Sequence, residues 1–425
     1  MSLLIHNVLV NGGSRGWVAV EGEFISNVGE GDAPQAVLME ADDVVDGAGM
    51  LLLPGAIDAH VHFREPGLTH KATIASESGA ALAGGVTSFI EMPNTVPQTT
   101  TLEAWRQKMD IAAHDSVANY AFMIGATDSN IGEIVRADAS KMPAVKVFMG
   151  SSTGNMLLDN DRGLRAVFSE QPFRIVVHAE DQAIISRLSD KYRSRIDIAA
   201  HSLIRSAEAC VRATERALEL ASRYGARLHV AHVTTAAETR LFDPSPSPEG
   251  KRFTAEVSPH HLTFSDDDYA SLGARIKMNP SVKTGADRAA LRSALVEGRL
   301  DIVATDHAPH LLSEKEGDVW TAVSGAPMVQ FSLPLMLDLY GPQMTVARMS
   351  KGPAKLFGID RRGEIKPGFY ADLVLVEKLD EPYTVKDSDV VSKCGWTPLA
   401  GRSLGHRVVR TWVNGGRPPR PLECA

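Results

Sequence analysis

The first side chains whose types and spacing could do chemistry are two histidines separated by one residue, His60 and His62. On a β-strand this spacing directs both side chains to the same face. Neutral imidazole is a preferred ligand of zinc, so the pair could bind a metal ion. The same pair could also be two interior histidines with hydrogen-bond partners, and the spacing alone does not separate the two interpretations.

Further potential ligands stand at or near the ends of other apolar, strand-like runs. They are Lys146, His178, His232 and Asp306. The carboxyl ends of parallel strands in a barrel meet at one rim, where active sites form, so a shared metal site explains the set better than separate interior residues do. His229 lies three residues before His232, and strand alternation predicts that it packs outward against helices.

Lys146 is the unusual member of the set, because a lysine at the end of a buried strand is costly. It could extend its amine to solvent or pair with a carboxylate. Alternatively, carbon dioxide could convert it to a carbamate, whose two oxygens can bridge two metal ions. The sequence leaves these alternatives open.

Asp306 could have a second role besides binding a metal ion. A carboxylate beside a metal-activated water can accept its proton and pass it to a leaving nitrogen. We therefore expect Asp306 to be the catalytic residue of a metal-assisted hydrolysis. A purely structural zinc site would be closed by four protein ligands, and six candidates favour two open metal ions instead.

The elements that must position these residues alternate between apolar strand-like runs and amphipathic helices, such as residues 208–224. Such alternation indicates parallel βαβ units. Eight strand candidates are present, which predicts an α/β fold with a (β/α)8 TIM-like barrel. They are residues 56–62, 86–92, 120–125, 144–149, 174–178, 227–233, 253–257 and 301–305.

Both ends of the chain have a different character from the middle. Short β-like runs separated by glycine-containing turns occupy residues 3–28 and again 371–413. We expect them to form one small β-sandwich domain from both chain ends. The predicted division is residues 1–53 and 356–425 for the sandwich and residues 54–355 for the catalytic barrel.

Composition narrows the class of protein. The 425 residues are 44% hydrophobic and 23% charged, as in ordinary globular proteins, and the net charge of −8 disfavours binding to nucleic acid or an anionic membrane. Three widely spaced cysteines do not suggest a disulfide framework. No signal-peptide pattern and no membrane-spanning apolar run is visible. The expectation is a cytoplasmic enzyme.

Several longer motifs carry a family resemblance that covers nearly the whole chain. They are PGAIDAHVHFREPG (54–67), MPNT (92–95), KVFMGSSTG (146–154), EVSPHH (256–261), MNP (278–280), TDHAPH (305–310) and KCGWTPLAG (393–401). On these motifs the chain resembles the amidohydrolase superfamily, and more closely the dihydroorotases. The two histidines alone would indicate only the superfamily.

The resemblance implies a role for each candidate. A first zinc ion would be bound by His60, His62 and Asp306, and a second by His178 and His232. Carbamylated Lys146 would bridge the two. The implied activity is the reversible cyclisation of N-carbamoyl-L-aspartate to L-dihydroorotate in de novo pyrimidine biosynthesis, through a hydroxide activated by both zinc ions.

Arg64 distinguishes between substrates, because arginine is suited to bidentate recognition of a carboxylate. The alternative to substrate binding is that Arg64 lies at the surface or in a salt bridge, with Glu65 as a candidate partner. The resemblance implies that Arg64, Asn94 and His310 hold the carboxylate of the substrate, with Asn279 nearby. Residues 325–329 (GAPMV) depart from the Ala-Pro-Phe-Gly of many dihydroorotases, which leaves the contacts of the ring open.

Two other functions compete with this interpretation. Hydantoinases, dihydropyrimidinases and allantoinases share the metal ligands. Arg64, together with Asn94 and His310, favours a ring that carries a carboxylate and so argues against these activities. Some dihydroorotase-like chains are inactive scaffolds for aspartate transcarbamoylase, and these typically lose metal ligands that this chain keeps. A homodimer and a transcarbamoylase partner are the assemblies that the resemblance leaves open.

Overall fold

The computed structural model describes residues 2–151, 156–169 and 172–424. The strands are β1 (Ser2–Val10), β2 (Arg15–Glu21), β3 (Phe24–Glu30), β4 (Asp43–Asp46), β5 (Leu51–Pro54), β6 (Ala56–Val61), β7 (Val86–Glu91), β8 (Asn119–Phe122), β9 (Ile124–Gly125), β10 (Val145–Phe148), β11 (Ile175–His178), β12 (Leu228–Val230), β13 (Phe253–Val257), β14 (Ile302–Val303), β15 (Leu373–Thr384) and β16 (Ser403–Trp412).

The helices follow most of the central strands. They are α1 (Gln35–Glu40), α2 (Ile74–Ala83), α3 (Leu102–Asp115), α4 (Ile131–Val135), α5 (Asp161–Ser169), α6 (Gln182–Lys191), α7 (Ala200–Ile204), α8 (Ala207–Tyr224), α9 (Ala236–Thr239), α10 (Pro259–Thr263), α11 (Tyr269–Leu272), α12 (Gly285–Glu297), α13 (Val329–Val346) and α14 (Gly352–Phe357). Helix α8 shows why such segments form. Ser206 caps its first turn, Gly225 ends it in the left-handed conformation, and one face is buried.

The central strands form a closed parallel barrel. Strands β6, β7 and β8 pair in that order, and β9 to β14 pair in chain order. Strands β8 and β9 are two halves of one barrel strand, interrupted at Met123. The ring closes where Val61 pairs with His307, and the His62 amide donates to the His307 carbonyl over 2.7 Å. All eight predicted strand runs contain a barrel strand, which confirms the predicted fold class.

Side-chain alternation divides the barrel strands into two faces. Val145, Val147, Ile175 and Val177 belong to the large apolar cluster that includes residues of the surrounding helices. Val176, between two of them, belongs to a smaller cluster inside the barrel. The barrel strands therefore pack one apolar face against the surrounding helices and direct the other face into the interior.

Both chain ends build a second, seven-stranded sheet in the order β16-β15-β5-β1-β2-β3, with β4 also paired to β1. On one side of β1, its first half pairs with β4 and its last residues pair with β5, while its pairing with β2 shifts register between His6 and Val8. This is the small β-sandwich domain that the two β-rich ends predict. The boundaries at 53/54 and 355/356 stay a prediction. In the part of the chain that is described, no helix has both the length and the apolar character of a membrane span.

A buried polar network joins the barrel to this sheet. The Arg362 guanidinium forms an ion pair with Asp372, and both side chains are almost wholly buried. Asp372 also accepts hydrogen bonds from the amide of Asn414 over 2.9 Å and from the side chain of Asn119 over 3.3 Å. Asn119 belongs to barrel strand β8, so this network links the two units.

Replacing Arg362 tests the network. Arg362→Met leaves the Asp372 carboxylate buried without its cation, which should lower the free energy of unfolding by about 3–5 kcal/mol. Arg407 pairs with Glu377 at the exposed surface, so Arg407→Met should cost less than about 1 kcal/mol. Urea unfolding followed by circular dichroism measures both. Equal losses in the two variants would contradict the role given to the buried pair.

Candidate active site

The rim of the barrel brings the predicted ligands to the ends of different strands. His60 lies on β6 and His178 ends β11, while His62, His232 and Asp306 follow the strands closely. His232 and Asp306 have positive φ angles of 37° and 48°. Such left-handed residues break strand alternation, so the chain redirects these two side chains as it leaves the sheet.

His60, His62 and Asp306 form one compact group. Asp306 Oδ1 lies 3.1 Å from His62 Nε2 and 3.4 Å from His60 Nε2. One ligand atom from each of the three residues lies within 4.8 Å of the other two, as a metal ion would require. The other ring nitrogens are held from behind: His60 Nδ1 lies 2.5 Å from Glu256 Oε1, and His62 Nδ1 lies 2.7 Å from Asn94 Oδ1. These contacts direct both Nε2 atoms towards Asp306.

His178 and His232 form a second group beside the first. Glu180 Oε2 lies 3.0 Å from His178 Nε2, which leaves His178 Nδ1 facing His232 Nε2 at 3.0 Å. The centroids of the His60 and His232 rings are 5.3 Å apart. Among the described residues, His232 Nδ1 has no hydrogen-bond partner. The two groups therefore share one cavity.

Lys146 extends its amine into the same cavity. Its Nζ atom is buried and has no hydrogen-bond partner among the described residues. Burial lowers the pKa of this amine to about 8. A buried lysine without an acceptor is unfavourable, so the position calls for either a counter-charge or chemical modification. Residues 152–154 of the motif that begins at Lys146 lie outside the described residues.

The protonation states suit a metal ion. Burial lowers the pKa of His62 to about 4 and that of His232 well below its usual range, so both imidazoles are neutral. Burial alone would raise the pKa of Asp306, but His60 and His62 beside it hold that pKa well below its usual range. Neutral imidazoles, an ionised carboxylate and the unpartnered amine of Lys146 form a donor set that fits zinc.

Arg64 stands at the wall of this cavity and is 2% exposed. Its Nε atom donates to the Pro309 carbonyl over 3.0 Å, and Nη2 lies 2.9 Å from His310 Nε2. The alternative pairing with Glu65 does not occur, because the Glu65 carboxylate accepts a hydrogen bond from the Ile74 amide at the start of α2. The guanidinium is therefore a buried cation beside the metal-binding groups.

The structure places the ten predicted site residues in two layers. Asn94 and His310 stand behind the cavity wall, on His62 and Arg64 respectively. Asn279 lies in the wall, and its buried Oδ1 has no partner in the described part of the chain. The cavity is lined by His60, His62, Arg64, Lys146, Phe148, His178, His232, Asn279, Asp306, Ala308, Ser324 and Gly325.

The expectation that His229 packs outward is wrong. Its Nε2 atom lies 3.0 Å from Glu256 Oε2, inside the barrel. Both His229 and His232 face inward because the left-handed backbone at His232 breaks the strand alternation. Glu256 was missed as well: it also accepts from His60 and from the His232 amide, over 3.2 Å. The sequence signal that could have identified Glu256 was a single glutamate within an otherwise apolar strand.

Comparison with known proteins agrees with this arrangement. A model of the amidohydrolase family matches residues 51–417. The chain is 38% identical to a dihydroorotase of Halobacterium salinarum over 94% of this chain and 92% of that protein. It is 31% identical to an allantoinase of Bacillus velezensis over 95% and 90%. The solved L-hydantoinase (dihydropyrimidinase) from Arthrobacter aurescens matches with a TM-score of 0.90 at 28% identity, covering 100% of this chain and 97% of that one.

The chain belongs to the amidohydrolase family, and its site is that of a metal-dependent hydrolase. Further relatives at 31–35% identity also bear the name dihydroorotase. These similarities confirm the resemblance found in the motifs.

Replacing Glu256 tests how the ligands are held. Glutamine carries no negative charge and can accept through only one of its two terminal atoms, so Glu256→Gln should weaken zinc binding by about 10- to 100-fold. Glu238 is equally buried but binds Thr214 and Thr235, so Glu238→Gln should leave zinc affinity unchanged. Zinc titration against a competing chelator measures both. Unchanged affinity in Glu256→Gln would contradict the support role.

Proposed function

We propose that the protein acts as a dihydroorotase, interconverting N-carbamoyl-L-aspartate and L-dihydroorotate in de novo pyrimidine biosynthesis. The observation that carries this proposal is the buried Arg64 beside the metal-binding groups. No carboxylate of the described residues forms an ion pair with it. A buried cation needs a compensating charge, and the carboxylate of a dihydroorotate ring would supply it.

In this proposal two zinc ions occupy the rim. His60, His62 and Asp306 would hold one, His178 and His232 the other, and Lys146, as its carbamate, would bridge them. Zinc bound there supplies Lewis-acid polarisation of the ring carbonyl and an activated water. Arg64, Asn94, His310 and Asn279 would together fix the orientation of the ring.

Asp306 moves the proton. Its carboxylate lies against both His60 and His62 and is ionised, so an oxygen lone pair is available to accept a proton. In ring opening it takes the proton of the attacking water and delivers it to the departing ring nitrogen. In ring closure the same carboxylate removes a proton from the carbamoyl nitrogen as this nitrogen bonds to the side-chain carboxyl carbon, and returns the proton to the oxygen that leaves as water. The burial of the site keeps bulk water from competing for this proton.

The similarity to an allantoinase and to an L-hydantoinase makes those activities the second candidate. Their shared metal ligands do not explain a buried arginine in the cavity wall. The complete ligand set argues against an inactive scaffold. The proposal also places the protein in the cytoplasm, with no nucleic-acid or membrane partner, and leaves a homodimer and a complex with aspartate transcarbamoylase as assemblies to test.

The Arg64→Met variant tests the substrate. Loss of the carboxylate contact should lower kcat/KM for L-dihydroorotate by about 30- to 1,000-fold, equivalent to about 2–4 kcal/mol. The zinc content and the slow turnover of dihydrouracil, which has no carboxylate, should not change. Steady-state kinetics on both substrates with elemental analysis provides the measurement.

The turnover rates of the wild-type protein on different rings distinguish between the candidate functions. Faster turnover of dihydrouracil, hydantoin or allantoin than of L-dihydroorotate would replace the proposal with the second candidate. No turnover of any of these rings after addition of zinc and bicarbonate would support the scaffold.

The carbamate has its own pH-dependent test. Only the neutral amine reacts with carbon dioxide, and a pKa of about 8 makes Lys146 neutral at a pH where an ordinary lysine, with a pKa of about 10.4, stays protonated. Uptake of ¹³C-bicarbonate by the metal-free protein should therefore rise between about pH 7 and pH 9, and zinc added at the end of each incubation retains the carbamate. A carbamate carbon resonance measures it.

The matched control is Lys277, whose pKa burial also lowers to about 8 but whose amine donates to the Val319 carbonyl over 2.7 Å. Lys146→Met should lose the resonance and Lys277→Met should keep it. A resonance that persists without Lys146 would refute the carbamate assignment.

A further inference from the structure

His310 lies between two buried cations. Lys71 Nζ is 3.0 Å from His310 Nδ1, and Arg64 Nη2 is 2.9 Å from His310 Nε2. Glu314 Oε1 accepts from Lys71 Nζ over 2.7 Å. Each ring nitrogen therefore faces a group that carries only donors.

These contacts cannot all be hydrogen bonds. Burial, together with Arg64 and Lys71, lowers the pKa of His310 well below its usual range, so the ring is neutral and carries one N–H. The ring nitrogen without a hydrogen can accept a hydrogen bond from Lys71 or Arg64. The nitrogen that carries the hydrogen then faces the other of these two cations, which is also a donor. Among the described side chains the cluster lacks one acceptor, and the backbone carbonyl of Ser324, in the cavity wall, is the acceptor available to the ring N–H when no ligand is bound.

The Nε2 edge of His310 is where an acceptor could enter. It faces Gly325, a residue that lines the cavity with Arg64. A Cβ atom at Gly325 would come within 2.9 Å of His310 Nε2, and the φ of 133° also requires glycine there. A carboxylate in the cavity could accept from both Arg64 Nη2 and His310 Nε2, and every donor would then be satisfied.

We propose that Lys71 is a positioning residue that acts through His310: its ammonium donates to Nδ1 and so keeps the ring proton on Nε2, directed at the substrate carboxylate. This inference rests on the proposed function, because it takes a carboxylated ring as the ligand. Without Lys71 the proton moves to Nδ1, where Glu314 Oε2 lies 3.7 Å away. The Nε2 lone pair then accepts from Arg64 and repels the carboxylate.

The test compares Lys71→Met, Lys71→Arg and Lys393→Met in the zinc-loaded protein. Lys393 donates to the Thr69 carbonyl in the same loop but does not contact His310, which makes it the matched control. The ligand is orotate, a planar carboxylated ring, measured by titration calorimetry. Lys71→Met should raise the Kd by about 10- to 100-fold. Lys71→Arg should restore most of the affinity, and Lys393→Met should match wild type.

Two readouts separate positioning from a merely structural role. Turnover of dihydrouracil should change by less than about twofold in Lys71→Met, because this ring has no carboxylate to misplace. In ¹⁵N-histidine spectra, with His310→Gln as the reference for assignment, His310 should carry its proton on Nε2 in wild type and on Nδ1 in Lys71→Met. Equal losses on orotate and dihydrouracil, or an unmoved proton, would overturn the proposal.

The proton position is also measured without ligand, which separates this inference from the proposed function. If wild type binds no orotate but its His310 proton still moves when Lys71 is replaced, the proposed substrate is wrong and the control of His310 by Lys71 stands. If orotate binds and Lys71→Met has no effect on either readout, only the role of Lys71 is overturned.

Discussion

The rest of this site depends on one constraint: an imidazole has two nitrogens, and the backing group on one of them decides where the other points. Glu256 holds His60, Asn94 holds His62, and Glu180 stands behind His178. Each contact leaves one ring nitrogen directed into the cavity. Without these backing oxygens the ligands would be free to rotate, and the group around Asp306 would have no fixed geometry.

The backing groups are themselves charged and buried, so they need support from further out. Burial alone would raise the pKa of Glu180, but Arg205 and His178 lower it to about 2. Arg205 also donates to the Ser151 carbonyl beside the rim. In a similar way Glu77 accepts from His307 and from Ser392, which ties the segment after β14 to the C-terminal part of the chain. The polar groups that hold the rim histidines are thus themselves paired with further polar groups behind them.

The sequence predicted the fold because each barrel strand is a short apolar run whose hydrophobic pattern survives in the structure. It also indicated which polar side chains meet at one rim, since parallel strands bring their carboxyl ends together. The orientation of His229 could not be predicted, because it depends on the left-handed backbone at His232. The support by Glu256 and Glu180 depends on inter-strand register and ring rotation, which residue types do not specify. The same holds for the contact between Arg64 and His310, which are 246 residues apart.

The buried positive charge in the cavity wall favours an anionic substrate. The metal-binding groups would serve any cyclic amide, whereas Arg64 and His310 add a buried cation and a donor at one wall. An anionic ring would place a carboxylate directly on that wall, whereas a neutral ring would leave Arg64 with carboxylates beyond ion-pair distance, such as those of Asp306 and Glu91. Specificity in this account is therefore a matter of one buried charge rather than of the metal ligands.

The most direct test is a crystal structure of the zinc-loaded protein with orotate. The account predicts zinc at His60, His62 and Asp306, and the ligand carboxylate between Arg64 and the Nε2 atom of His310. A carboxylate placed away from Arg64, or a ring bound without contact to that wall, would contradict it.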